Sequence, residues 1–495
     1  MNEVGYISTR GDAEKKRGAQ AIIQGLASDR GLFVPDAFPR RSFELETMIG
    51  ISYRAVAYRI LKDFFGDFEE EELRKCVDGA YDDKFDNRHI APLSKTKKAF
   101  FLELYHGRTA AFKDMALSIL PFLLTAAMRR ENEERKAVIL TATSGDTGKA
   151  ALEGFAGVTG TEVFVFYPKD GVSEIQKRQM TTQKGDNVHV FGIEGNFDDA
   201  QNAVKAIFND STWNAELEEK GFRLTSANSI NIGRLVPQVA YYVYAYLKLI
   251  ETSRISTGDL INVVVPTGNF GNILSAWYAK QLGLPIKKLI CASNENKILT
   301  DFINTGIYDV NREFLLTSSP SMDILVSSNL ERLLYHLADG ATTEIAGYMK
   351  DLERSGKYEV SKAVKDRLAK DFYAGFADME DSHAAMKGLW ENEEYLIDTH
   401  TAVGYKVYLD YREQFGDDTP AVIASTASPY KFADTITKVL GFPEGKDGFE
   451  AIDTLRNRTG IPIPVGLKGL ALKPAFHKEC IKTDEMKQRI EEGLR

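Results

Sequence analysis

Ala137-Val138-Ile139-Leu140-Thr141 is an apolar run of strand length, and the thirty residues after it decide the fold. Thr143-Ser144-Gly145-Asp146-Thr147-Gly148 is a polar glycine loop, residues 149–157 form a small-residue helical pattern, and Val163-Phe164-Val165-Phe166-Tyr167 is a second strand closed by Pro168. Strand, helix and strand in that order make a βαβ unit, whose apolar strands lie parallel and covered on both faces. The alternation continues with a strand at Val188-His189-Val190-Phe191. Asn196 then caps a helix with Asp198 and Asp199 in its first turn and Ala200, Val204, Ile207 and Phe208 on its apolar face. Residues 235–250 read as a helix, and Leu260-Ile261-Asn262-Val263-Val264-Val265-Pro266 is the most strand-like run of the chain. Its loop, Thr267-Gly268-Asn269-Phe270-Gly271-Asn272, opens a helix that stops at Gly283. Further strands are expected at Lys288-Leu289-Ile290-Cys291-Ala292 and Ala421-Val422-Ile423-Ala424-Ser425. The fold class is α/β, with helices around mostly parallel sheets.

A chain of 495 residues exceeds what one hydrophobic core supports. Residues 1–90 carry amphipathic helical patterns, broken by a turn at Gly31-Leu32-Phe33-Val34-Pro35, and read as a helical N-terminal domain. The large α/β domain is expected over 91–130 and 239–495, with charged, helical residues 300–395 as an insertion. Residues 131–238 form a small α/β domain that carries the Thr143-to-Gly148 loop.

The formal net charge of −9 argues against a nucleic-acid or anionic-membrane partner, which calls for a basic excess. Cys76, Cys291 and Cys480 make neither a disulfide framework nor a metal spacing, and the seven histidines are scattered, so no metal site is expected. Met1-Asn2-Glu3-Val4-Gly5 lacks the features of a signal peptide, and no apolar stretch spans a bilayer. The expectation is a cytoplasmic protein.

His106-Gly107-Arg108-Thr109-Ala110-Ala111-Phe112-Lys113-Asp114 sets one lysine just past a glycine turn, behind an aromatic residue and ahead of an apolar run that reads as one helix over 115–127. Desolvation there favours a neutral, nucleophilic amine, which forms an imine with a carbonyl cofactor such as pyridoxal phosphate. Taken alone, Lys113 reads more simply as an ordinary surface lysine. Two loops weigh against that. Gly268-Asn269-Phe270-Gly271-Asn272 joins a strand to a helix start, where backbone N–H groups make an anion site without a charged side chain. By itself it reads equally as a tight turn, and its two glycines fall short of the three that a dinucleotide fold needs. Ser144-Gly145-Asp146-Thr147-Gly148-Lys149 is no P-loop, because Thr143 stands where the first glycine belongs and Ala150 where a magnesium-binding hydroxyl belongs. The hydroxyls of Ser144 and Thr147 with the loop N–H groups suit a carboxylate, as an uncharged cradle for an amino acid; a capped turn is the plainer alternative.

An imine lysine, a phosphate loop and a carboxylate loop are the parts of a pyridoxal-phosphate enzyme acting on an amino acid. With them the sequence resembles the threonine synthases of the longer fungal and bacterial branch, with the tryptophan-synthase-β-like architecture (fold type II) of pyridoxal-phosphate enzymes. The resemblance runs over nearly the whole chain, through Gly31 to Pro35, His106 to Asp114, Thr143 to Gly148, Glu194-Gly195-Asn196-Phe197-Asp198-Asp199, Asn228-Ser229-Ile230-Asn231, Pro266 to Asn272, Ser319-Pro320-Ser321-Met322-Asp323-Ile324, His400-Thr401-Ala402-Val403-Gly404 and Ser425-Thr426-Ala427. It implies that Lys113 forms the imine with pyridoxal 5'-phosphate, and that Gly268, Asn269, Phe270, Gly271 and Asn272 hold the cofactor phosphate. Ser144, Gly145, Asp146 and Thr147 would face the substrate carboxylate, and the Thr426 hydroxyl the pyridine nitrogen. The large domain would then be the cofactor-binding one.

The reaction so implied converts O-phospho-L-homoserine and water into L-threonine and phosphate, with Lys113 as the base. The alternatives are a related phospho-lyase giving 2-oxobutanoate, which shares the same lysine and loops, and a non-catalytic pyridoxal-phosphate-binding protein. A dianionic substrate phosphate needs cationic or N–H partners. Lys177, Arg178, Lys184 and Arg234 are candidates, with Asn196 and, as an extra, Arg108. The sequence departs from the family pattern at three places: Arg108 replaces a proline, Lys149 a small residue, and Ser428-Pro429-Tyr430-Lys431-Phe432 stands for His-Pro-Ala-Lys-Phe. The protein is expected to act as a monomer.

Overall fold

A computed structural model describes residues 4–12, 14–39, 44–143, 145–169 and 172–495. The strand that opens the βαβ unit, Lys136–Ala142, pairs in parallel on one side with Thr161–Pro168 and on the other with Phe222–Ser226. Val188–Ile193 adds to Thr161–Pro168, and Cys480–Ile481 pairs with Gly192 and Ile193, so all five strands of this sheet are parallel. The second sheet has six strands in the order Phe372–Phe376, Ile286–Ser293, Ile261–Pro266, Ala421–Ser425, Phe100–Glu103 and Leu93–Lys95, parallel except for the last pair.

Both sheets reverse their direction of growth at one strand. After Lys136–Ala142 the chain moves to one side and later returns, at Phe222–Ser226, to the other. Ile261–Pro266 is flanked in the same way by Ile286–Ser293 and Ala421–Ser425. Where neighbouring crossovers diverge, a crevice opens beyond the carboxyl ends of the strands, and ligands bind there. Just past these carboxyl ends come Thr143 and Gly145, residues 267–270, residues 426–428 and, from Phe100–Glu103, the segment that ends in Lys113.

Burial explains the unbroken apolar strands. Val263 and Val265 enter one core and Val264 another, as side chains alternating across a sheet covered on both faces must. The first core also takes in the helices Gly18–Gln24, Tyr53–Phe64 and Glu70–Ala80, which pack on Leu120–Arg130 and Val239–Glu251. Among the described residues no helix is long and apolar enough to cross a membrane.

Four expectations change. Phe33–Pro35 is a strand, antiparallel to Tyr6–Ser8, rather than a turn between helices. Residues 300–395 are not purely helical: Phe372–Phe376 is the edge of the six-stranded sheet, and Ile307–Asp309 pairs with Lys357–Glu359. The chain end joins the five-stranded sheet through Cys480–Ile481 instead of staying with the large body. A two-residue strand is too short to show any period, and its partner edge is remote in sequence. The apolar run after Lys113 splits into Asp114–Leu117 and Leu120–Arg130, because Pro121 has no N–H to continue the first helix but fits the first turn of the second.

Candidate active site

Lys113 ends a turn whose shape its own neighbours dictate. Asp114 folds back to accept hydrogen bonds from the Thr109 N–H at 2.8 Å and the Thr109 hydroxyl at 2.6 Å. Gly107 makes this possible, since a Cβ there would collide with the Asp114 carboxylate. Ala110 takes the left-handed φ of 57°. The turn is laced to the strand end beside it: the Phe112 N–H donates to the Thr426 carbonyl at 2.7 Å and the Ser428 N–H to the Ala110 carbonyl at 2.9 Å. Lys113 and Thr426, far apart in sequence, therefore share one wall of the crevice. The Thr426 hydroxyl has no hydrogen-bond partner among the described residues.

The Lys113 amine is buried, with Nζ 3.5 Å from Asp146 Oδ2, 3.4 Å from Ser321 Oγ and 5.1 Å from the centre of the Phe112 ring. Burial lowers its pKa; Asp146 opposes this, while Arg234 and Lys431 lower it further. Asp146 opens the helix Asp146–Phe155. Its other oxygen accepts from Lys431 Nζ at 2.6 Å and Gln176 Nε2 at 2.9 Å. Burial alone would raise the Asp146 pKa, but Lys431 and Lys113 outweigh it and keep the carboxylate ionised. Asp146 is thus an anchor for cations, not part of an uncharged carboxylate cradle. The cradle that remains is backbone: among the described residues the N–H groups of Asp146 and Thr147 have no acceptor, whereas those of Gly145 and Gly148 both donate to Thr143 Oγ1 at 2.9 Å. Gly145 has φ 135° and must be glycine. Ser144 lies outside the described residues.

The Gly268 loop is a second backbone cradle. The N–H groups of Gly268, Asn269, Phe270, Gly271 and Asn272 find no acceptor among the described residues. Phe270 adopts the left-handed φ of 63°, buries its ring beside Phe372, and starts the helix Gly271–Gln281 behind it. The two glycines serve different ends. A Cβ on Gly268 would lie 2.6 Å from the Ser321 carbonyl oxygen, so protein packing alone demands glycine there. A Cβ on Gly271 would clear the nearest protein atom, Asn329 Nδ2, at 3.5 Å, so protein packing does not demand glycine there. The Asn269 carbonyl is fixed by the Asn329 N–H at 3.1 Å and Nδ2 at 3.0 Å. Asn272 Oδ1 accepts from the Tyr242 hydroxyl and lies 2.9 Å from that of Tyr241, which also has Gln238 Oε1 at 3.0 Å, while Asn272 Nδ2 is buried without a partner.

Of the proposed phosphate ligands, Arg234 stays with the site. It is buried, donates to the Ala227 carbonyl at 2.7 Å, and has no carboxylate partner among the described residues; burial pushes its pKa down to about 10. Arg178 is tied to the carbonyls of Ala471 at 2.7 Å and Leu470 at 3.5 Å. Asn196 is exposed, and its side-chain oxygen caps its own helix through the Asp199 N–H at 3.0 Å. Lys177 and Lys184 are exposed, the latter over the Phe476 ring. Arg108 is half-exposed and reaches Glu153 at 3.2 Å, which also pairs with the buried Lys149 at 2.9 Å. The helix Glu174–Thr181 turns Gln176 and Gln179, not its cations, toward the Lys113 turn: Gln179 Nε2 lies 3.3 Å from the Thr109 carbonyl, which also accepts from Lys431.

Three family models match successive parts of the chain: the threonine synthase N terminus over residues 5–81, the pyridoxal-phosphate dependent enzymes over 88–426, and the threonine synthase C-terminal region over 401–461. Threonine synthase of Pseudomonas aeruginosa is 38% identical over 437 residues, covering 88% of this chain and 90% of that one. The chain belongs to the threonine synthase family. Threonine synthase-like 1 of Homo sapiens is 41% identical over 460 residues, 89% of this chain, but this chain spans only 61% of that protein's length. The crystal structure of pyridoxal-phosphate-bound threonine synthase from Brucella melitensis matches with a TM-score of 0.87 and 34% identity over the full length of both chains. The architecture is that of fold-type II pyridoxal-phosphate enzymes.

Pyridoxal phosphate is the cofactor of this threonine synthase family, and the residues present fit it. A buried amine of lowered pKa suits the aldehyde, and five free N–H groups with the orphaned Asn272 Nδ2 suit the phosphate. The buried Lys113 and Lys431 share the ionised Asp146, and the buried Arg234 has no carboxylate partner among the described residues, so an anionic ligand would find basic groups there. Sequence reasoning misses Lys431, Ser321 and Gln176 as parts of the site. Lys431 carries a signal, a lysine in the block where Ser428 to Phe432 departs from the family. Ser321 lies within a block that matches the family but inside the segment that reads as a helical insertion.

Proposed function

We propose that the protein is a threonine synthase, converting O-phospho-L-homoserine and water into L-threonine and phosphate. The observation that carries this reading is the buried Lys113 amine, 3.5 Å from an ionised aspartate and placed between two backbone cradles for anions. Bound pyridoxal phosphate supplies the electron sink that lets protons leave carbons near the substrate nitrogen. The chain's own part is positional and electrostatic. The N–H groups of Gly268 to Asn272, with Asn272 Nδ2, would hold the cofactor phosphate, and the Thr426 hydroxyl would face its ring nitrogen. The free N–H groups of Asp146 and Thr147 at their helix start would take the substrate carboxylate. Arg234, a buried cation lacking a carboxylate partner, would meet the substrate phosphate. Lys113 Nζ would take a proton from one carbon and return it to another, a role that its burial, which lowers its pKa, favours.

On this reading the body around the six-stranded sheet is the cofactor domain, the five-stranded sheet carries the substrate loop, and the protein works as a cytoplasmic monomer. The test is product analysis. The protein with pyridoxal phosphate is given O-phospho-L-homoserine, and threonine, phosphate and 2-oxobutanoate are measured. Equal amounts of threonine and phosphate support the reading. Phosphate with 2-oxobutanoate replaces it with a phospho-lyase, and no phosphate release at all ends it.

A further inference from the structure

Ser321 occupies a short turn, Pro320–Met322, more than two hundred residues from Lys113 in sequence, yet its hydroxyl touches the reacting amine. Ser321 Oγ lies 3.4 Å from Lys113 Nζ and 3.4 Å from Asp146 Oδ2, which is itself 3.5 Å from Nζ. The three polar atoms form a closed triangle.

The turn is held from both flanks. The Ser321 N–H donates to His400 Nε2 at 3.1 Å, and His400 Nδ1 is 2.9 Å from Asp398 Oδ1. An Nε2 that accepts from an amide leaves the ring proton on Nδ1, donated to Asp398, which fixes one neutral tautomer. The Thr401 hydroxyl also donates to Asp398 and accepts from the Thr426 N–H at 3.3 Å, so the same network reaches the Thr426 wall of the crevice. On the other flank Asn294 Nδ2 donates to Ser319 Oγ at 3.0 Å and Asp323 Oδ1 at 2.7 Å, and Gly268 lets the Ser321 carbonyl pack against the phosphate loop. Asp398, His400 and Asn294 are all buried. A turn with no function needs no such buried polar network, which is unfavourable unless fully satisfied.

We infer that Ser321 is a catalytic residue that orients the Lys113 amine, and that His400 and Asp398 position it; the inference deepens the threonine synthase reading and rests on it. When Nζ takes a proton it becomes an ammonium with three N–H bonds. One points to Asp146, one to the Ser321 oxygen, and the third is left for the substrate carbon that is to receive the proton. No bond at Ser321 is made or broken; its hydroxyl accepts from Nζ and donates to Asp146 throughout.

Ser321→Ala removes only the hydroxyl, because the turn is pinned through its backbone N–H and carbonyl. Two measurements test the role. In the protein loaded with pyridoxal phosphate, kcat falls about 10- to 100-fold while KM for O-phospho-L-homoserine stays within about twofold, and Ser321→Thr recovers most of the loss over alanine. In the cofactor-free protein, the pH profile for labelling Lys113 with an amine-reactive reagent moves about one unit lower, because the ammonium has lost an acceptor. Asp146, Lys431, Arg234 and Phe112 face Lys113 equally in both proteins, so they cancel in the comparison. For the positioning pair, His400→Gln lowers kcat, and adding it to Ser321→Ala lowers kcat no further. An unchanged kcat or an unchanged labelling profile in the alanine variant overturns the assignment. If the unaltered protein makes no threonine, the reading of its function fails separately, and the labelling profile alone decides whether Ser321 holds the amine.

Discussion

Replacing Asn272 by Asp exchanges one NH2 group for oxygen, and the bonds around that group set the loss of cofactor affinity. The Tyr242 hydroxyl donates to Oδ1, and the Tyr241 hydroxyl lies 2.9 Å from it and 3.0 Å from Gln238 Oε1, two acceptors that share its one proton. With Oδ1 on the side of the tyrosine hydroxyls, the NH2 lies on the other side of the amide. That Nδ2 is buried without a partner. A hydrogen bond from it to a phosphate dianion is worth about 1.5–3 kcal/mol, or roughly 10- to 150-fold in Kd. Aspartate keeps an oxygen for both tyrosines, so the fold survives, while its own charge opposes the phosphate and moves the loss toward the upper end. The assay titrates cofactor-free protein with pyridoxal phosphate and reads the imine absorbance, with circular dichroism as the control for folding. Pyridoxal without its phosphate is the internal control, because its weak affinity should be the same in both proteins. Wild-type affinity of Asn272→Asp for pyridoxal phosphate, or an equal loss for pyridoxal, would refute the placement of Nδ2 on the phosphate.

Gly271→Ala should fold normally yet bind the cofactor at least about 10-fold more weakly, since its Cβ clears protein atoms at 3.5 Å but crowds the cradle; Gly268→Ala, with its Cβ 2.6 Å from the Ser321 carbonyl, should lower thermal stability as well. Equal unfolding temperatures for the two variants would contradict this division. Arg108→Ala should leave kcat/KM within about twofold of wild type, because the guanidinium is half-exposed and only borders Glu153; a 10-fold rise in KM for the phosphorylated substrate would bring that arginine back as a ligand. His106 supplies a pH dependence. Burial lowers its pKa, but Asp86 at 2.6 Å and Glu103 at 2.9 Å raise it from 6.5 to about 9. A raised histidine pKa gives stability that is complete below 6.5 and is lost as pH climbs through 9, about 3 kcal/mol at most. The unfolding temperature should therefore fall across that window in the wild type and fall less in His106→Gln, and parallel profiles would dismiss the effect.

The sequence makes legible whatever short segments decide alone. A strand, a glycine turn and a helix start within a dozen residues imply free N–H groups at a strand's carboxyl end, and both Gly145–Thr147 and Gly268–Asn272 supply them. The desolvation of Lys113 is likewise written in Phe112 and the apolar run behind it. Phase and distance are hidden from the sequence. Lys177 and Arg178 stand out as cations, yet the helix turns Gln176 and Gln179 inward, on the face shared with Ile175 and Met180. Asp146 reads as a polar loop residue, and only the arrival of Lys431 and Lys113 shows it to be an ionised anchor. Ser321 sits in a block that resembles the family, but that block does not show its role, because its meaning comes from a turn brought over Lys113 by contacts with His400 and Gly268.

An N-terminal segment with no residue at the amine also belongs to the site. Arg332 is fully buried and pairs with no carboxylate among the described residues. Its guanidinium is satisfied instead by the carbonyls of Phe33 at 2.9 Å, Ser229 at 3.3 Å and Ile230, and by Asn329 Oδ1. An arginine in that position is stable only while all its acceptors stay in place, since each one lost leaves a buried donor unmet. Asn329, through its other end, fixes the Asn269 carbonyl and so the direction of the N–H groups of the Gly268 to Asn272 loop. Phe33 is also the strand residue paired with Ser8, beside Thr9 and Arg10, which both bond Glu331 next to Arg332 in sequence. The Tyr6–Ser8 and Phe33–Pro35 pair is therefore linked to the Gly268 to Asn272 loop by two residues, Arg332 and then Asn329. The block Gly31 to Pro35 carries no chemistry of its own. It holds the far end of the hydrogen-bond network that supports the Gly268 to Asn272 loop.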